Sequence, residues 1–183
     1  MKMKWITTLP VAAALLVVPS ITRAQDVVSD TPGIVAFTHG LDAHKLVAGA
    51  VVRVQLTNTV RFADGTKLPD GTWLSATVVQ DSLQRGNVRL ALRFTKAQLK
   101  NGKTIPIKAT ILGVSSNDSA ATDLVMPIPH SSKDAVDIEG VTSGVDLHSK
   151  VSSPDSGVFV SKTKADVKLN TETEMELAIT PAM

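Results

Sequence analysis

The chain has no cysteine and no tyrosine, and aromatic residues are only 3% of its 183 positions. Without cysteine there are no disulfides and no lipid attachment through an N-terminal Cys, so packing alone must hold the fold together. Beyond residue 24 the aromatics reduce to Phe37, Phe62, Phe94, Phe159 and Trp73, too few for an extensive stacking platform for sugars or bases. No sustained amphipathic helical period occurs, and no Gly-x-Ser-x-Gly nucleophile elbow.

Residues 1–24 have the three parts of a secretory signal. Lys2 and Lys4 precede an apolar run through Val11–Val18, and Thr22-Arg23-Ala24 presents small residues at the two positions a signal peptidase reads. The run between Pro10 and Pro19 falls short of the roughly 20 residues that a membrane-crossing helix needs. Cleavage after Ala24 is expected, giving a periplasmic or secreted protein with no membrane span. That segment holds three of the 19 basic residues and none of the 17 acidic ones, so the remainder carries 16 and 17, a formal charge of −1. Nucleic acid and anionic membrane are therefore not expected partners.

The remaining length suits one domain with a real core. Period-two alternation predicts strands. One uses Ala50, Val52, Val54 and Leu56, continuing to Val60 and Phe62, with Asn58 marking a bulge or bend. Asp64-Gly65 and Asp70-Gly71 are turn signals. Leu74, Ala76 and Val78 form a second strand, closed by a turn at Gln84-Arg85-Gly86-Asn87, and Val88, Leu90, Leu92 and Phe94 a third. Asn101-Gly102 predicts a two-residue hairpin turn into Ile105, Ile107, Ala109 and Ile111, with Lys108 and Thr110 facing out. Pro106 lacks a backbone donor, which points to an edge strand or to a strand that begins beyond it.

Between residues 115 and 156 the alternation dissolves into Ser, Asp, Thr, Gly and Pro, and a long disordered insertion outside the core is expected, with a short helix or a partner-binding segment in part of it as the alternative. Val158 with Val160, Val167 with Leu169, and Met175, Leu177 and Ile179 supply closing strands. The reading is all-β: a small barrel or sandwich of antiparallel strands, with a lead-in at 25–48 and the β-domain at 49–180.

The order of features carries a resemblance. A strand beginning at Gly49 is followed by Leu68-Pro69-Asp70-Gly71-Thr72, then by Ala97-Gln98-Leu99-Lys100-Asn101-Gly102 before Ile105-Pro106-Ile107, and by Ser161–Leu169 before a final strand. The chain resembles exported bacterial β-domains without an assigned activity. More distantly, over about 41–111 and 157–180, it is similar to the periplasmic β-barrel of the scaffold subunit of type IV secretion channels. That resemblance implies a barrel. The chain departs from the scaffold in having a cleavable signal where the scaffold has a cytoplasmic tail and membrane helix, and in lacking an amphipathic pore-forming segment.

Candidate site residues are few. His39, Asp42 and His44 lie within six residues and are potential metal ligands, although Gly40 disfavours the helix this spacing needs and a structural zinc wants a fourth ligand; the plain alternative is a solvent-facing lead-in. His130 and His148 could serve as bases to a serine, but both fall in the expected insertion. Trp73 is either a binding anchor or a cover for the end of its own barrel. No cofactor is indicated. The function expected is a non-enzymatic structural or protein-interaction role in the cell envelope, through another envelope protein or self-association. A small-ligand or glycan-binding module is the alternative, and an enzyme the third reading. An exposed apolar patch or free strand edge favours the first, a concave pocket beside Trp73 the second, and converging His, Asp and Ser the third.

Overall fold

Alternating side chains build the staves of this protein. In Val51–Leu56, Val52, Val54 and Leu56 are buried while Val51 and Arg53 face out, and Met175, Leu177 and Ile179 are buried in the same way near the other end. The structure, a computed structural model, describes residues 32–81, 89–116, 135–142, 144–162, 167–171 and 173–182. The expected signal peptide (1–24), the expected turn at 84–87 and residues 117–134 of the expected insertion lie outside them.

Thirteen strands occur among the described residues: β1 (Gly33–Phe37), β2 (Leu41–Asp42), β3 (Val51–Leu56), β4 (Val60–Arg61), β5 (Lys67–Leu68), β6 (Trp73–Asp81), β7 (Arg89–Gln98), β8 (Thr104–Ser116), β9 (Ala135–Thr142), β10 (Val145–Lys150), β11 (Gly157–Ser161), β12 (Lys168–Leu169) and β13 (Thr173–Pro181). The order β6-β3-β1-β13-β8-β7, with β7 pairing back onto β6, closes an antiparallel barrel of six strands. From β7 the sheet continues outward through β11 and β10 to β9. The all-β class read from the sequence is correct, and of the two architectures it allowed the protein adopts the barrel.

Two glycine turns share one construction. Gly65 N–H donates to Phe62 O and Phe62 N–H to Thr66 O, while Gly102 N–H donates to Leu99 O and Leu99 N–H to Lys103 O. Each is a three-residue loop closed by a glycine at φ +83°, the conformation that side chains with a Cβ resist. In each the preceding Asx side chain accepts a backbone N–H two residues on, Thr66 to Asp64 at 2.8 Å and Lys103 to Asn101 at 3.0 Å. The two-residue turn expected at Asn101-Gly102 is thereby corrected to a three-residue loop.

Other expectations change with the topology. β1 falls within 25–48, so the lead-in contains a barrel stave and the barrel begins at Gly33. Asn58 is not a bulge: its side chain accepts Ile34 N–H at 2.8 Å and donates to Pro32 O at 2.9 Å, tying the bend after β3 to the start of β1. Thr110 is buried rather than outward, and on β11 it is Phe159, fully buried, that points inward while Val158 and Val160 are half-buried. A slip of one residue flips every side chain of a strand, and the bulky ring takes the core.

Pro106 is not at an edge, since β8 pairs with β7 over Thr104–Pro106 and with β13 from Ile107 onward, and Ala182 N–H donates to Pro106 O. Lys96↔Pro106 is the last step of the β7–β8 ladder, so the missing donor falls where the two strands part. The resulting fork is filled by the bend before β11. Ser156 N–H donates to Leu92 O on β7 at 2.8 Å, its Oγ accepts Phe94 N–H at 2.9 Å, and its carbonyl accepts Ile111 N–H from β8 at 2.8 Å. Ser149 Oγ on β10 donates to Ile111 O at 2.5 Å. The expected disordered insertion is corrected here: residues 135–142 and 145–150 are strands, and Val145 and Leu147 are buried in the core. Their alternation, Val145-Asp146-Leu147-His148, is too short to register as a strand until β11 lies beside it.

Candidate functional site

Outward-facing residues of β3 and β6 form the floor of a cleft. The register pairs Gln55 with Trp73, Arg53 with Ser75 and Trp73 with Gln98, so Trp73 and Gln98 stand directly opposite each other on the outer face and Arg53 lies diagonal to Trp73. The Arg53 guanidinium carbon lies 5.7 Å from the centroid of the Trp73 ring, within cation–π range. Arg53 Nη2 donates to Gln98 Oε1 at 2.7 Å. Trp73 is half-buried on the outside of the barrel, while its neighbours Leu74 and Ala76 point into the core.

The walls come from the chain after β1. Thr38, His39 and Gly40 lead into β2, which is held by β12 through Asp42↔Lys168 and Leu41↔Leu169. A single 3-10 turn, Ala43–Lys45, follows. Asp42 caps it, with Oδ1 accepting His44 N–H at 3.1 Å and Oδ2 3.6 Å from Lys45 Nζ. His39 Nδ1 and Thr38 Oγ1 are 3.0 Å apart. The open cleft between them measures about 480 Å³, its walls formed by residues 38–42 with Lys45 and Leu46 and its floor by Val51, Val52, Arg53 and Trp73.

Of the sequence candidates, His39, Asp42 and Trp73 therefore meet in one cleft, and His44 is not among its lining residues. Among the described residues no three His, Asp or Glu side chains are grouped as a metal would require; the 3-10 turn spends Asp42 on capping. His148 pairs with Asp137 across β10 and β9, Nδ1 to Oδ1 at 2.8 Å. Both are exposed, and among the described residues no hydroxyl is hydrogen-bonded to His148. His130 lies outside the described residues.

Arg53, Gln98, Leu46 and Val51 escape sequence reasoning. Arg53 reads there as one more solvent-facing residue of an alternating strand, and its bond to Gln98 spans 45 positions. Only the register of β3, β6 and β7 brings them together. Searches of protein-family models, curated proteins and solved structures find no match to this chain.

Proposed function

We propose that this chain is an exported, non-enzymatic β-barrel of the bacterial envelope, periplasmic or secreted, that binds a small ligand or glycan in the cleft beside Trp73. The observation that carries the reading is the concave cleft itself. It combines an indole, four aliphatic side chains (Leu41, Leu46, Val51 and Val52) and a few convergent polar groups, the composition of a ligand site. Export is supported by the charged, apolar and small-residue parts of residues 1–24.

A protein-interaction role has its own support. Val47 and Val51 stand 70% and 64% exposed, and β9 ends the sheet order with β10 as its one paired neighbour among the described residues, an edge that another chain can extend. The partner in that reading is an envelope protein or a second copy. The two readings separate on an array of envelope saccharides probed with the exported protein. Retention that is lost in Trp73→Ala, at an unchanged unfolding midpoint, is the expected result. Absence of retention, with stoichiometric capture of an envelope protein or dimerisation on light scattering, would replace it with the interaction reading.

A further inference from the structure

We propose that the ligand of this cleft carries a carboxylate, as a uronic-acid saccharide does, and that Arg53 receives it. The inference rests on the reading of the cleft as a ligand site and names its ligand class. Arg53 is the guanidinium that lines the cleft, and it is not committed to an ion pair as two other cations of this surface are. Arg93 is 2.8 Å from Asp155, and Lys162 is 3.2 Å from Asp146. Arg53 has no carboxylate partner among the described residues; its contacts are the neutral Gln98 amide and the Trp73 ring. A guanidinium has five N–H donors in a planar fork suited to bidentate carboxylate binding. Here one nitrogen is bonded to Gln98 and the guanidinium carbon lies near the indole, so fewer conformations of this exposed side chain remain to be ordered by a ligand. Such preorganisation removes part of the ordering cost of binding.

The acidic residue of the cleft does not oppose an anion outright. Asp42 has one oxygen on His44 N–H and the other beside Lys45, which leaves it a local acceptor for ligand hydroxyls, with Thr38 and His39 as further hydrogen-bonding groups. Leu46 and Val51 offer apolar contact to the C–H face of a sugar ring. An extended peptide is disfavoured by the sheet: β3 lies between β1 and β6, and β6 between β3 and β7, so neither strand of the cleft floor has a free edge for main-chain pairing.

The test uses the exported protein from a chain carrying Trp5→Phe, so that Trp73 is the sole indole whether or not residues 1–24 have been removed. Uronate disaccharides (galacturonate, glucuronate and mannuronate) and their neutral counterparts are titrated against Trp73 emission. At least one uronate is expected to bind tenfold or more tighter than its neutral counterpart, with affinity falling as salt rises. Arg53→Gln should lose about tenfold or more of that affinity, as expected for removal of a charge-assisted bond. Gln98→Glu should lose a similar factor, because the new carboxylate occupies the guanidinium within the protein, and this variant should keep its urea midpoint. Equal affinity for neutral and acidic sugars, or a uronate affinity unchanged in both variants, overturns the carboxylate assignment while leaving the cleft a saccharide site. No response of Trp73 to any of the sugars overturns the cleft reading and this inference together.

Discussion

Leu147 on β10 separates a packed hairpin from a mobile insertion. Its side chain is fully buried, so Leu147→Ala removes three carbon groups from the core at about 0.8 kcal/mol each, with a cavity cost on top. Destabilisation of about 2–5 kcal/mol is expected. Gly157, at the start of β11, provides an internal check. A Cβ there would lie 2.8 Å from Ile111 Cδ1 and 3.1 Å from Leu147 Cδ1, so Gly157→Ala should overpack at about 1–3 kcal/mol. Truncating Leu147 relieves one of those two contacts. The double variant should therefore be less destabilised than the sum, by about 0.5 kcal/mol or more. Urea unfolding followed by Trp73 fluorescence measures all three. A Leu147→Ala midpoint within about 0.5 kcal/mol of the parent, the size of an ordinary surface substitution, would mean that the hairpin does not pack on the barrel. Strict additivity would mean that Gly157 and Leu147 do not face each other.

Gly102→Val should cost about 1–3 kcal/mol through backbone strain at its positive φ, whereas Lys108→Gln should be nearly neutral; similar urea midpoints for the two would refute the loop geometry. Ser156→Ala leaves the buried Phe94 N–H without its acceptor and should destabilise by about 1–3 kcal/mol, with Ser156→Thr as a control that retains the hydroxyl; equal stability of parent and Ala variant in thermal melts would remove Ser156 from its role in the fork. Mass spectrometry of the exported protein should find Gln25 at its N-terminus, and retention of residues 1–24 in the membrane fraction would indicate an anchor instead.

Where alternation was long, the strands were legible in the sequence. Val52, Val54 and Leu56, then Leu74, Ala76 and Val78, and Met175, Leu177 and Ile179 are all buried, because one-sided burial imposes a period of two on the residues themselves. β1, β9 and β10 were not legible. β1 is short, and Val145 and Leu147 are paired by β9 on one side and β11 on the other, neighbours that no local pattern announces. The same holds for the cleft. His39, Asp42 and Trp73 stood out by residue type, yet their shared location depends on β1, β3 and β6 being adjacent. Arg53 carried no local signal at all, since its significance comes from the indole and the amide opposite it.

The pairing of β1 with β13, Gly33 opposite Leu177, has a consequence for when the molecule can fold. The first stave has the last as one of its neighbours, so the ring stays open until nearly the whole chain is present. Contacts of such sequence separation are slow to form, because the closure entropy comes before any reward. If the proposed export holds, a chain emerging residue by residue from a translocation pore would thus remain threadable until β13 arrives. The same delay leaves the edges of β1 and β8 bare for longer, an interval in which a holding factor or a second emerging chain could engage them.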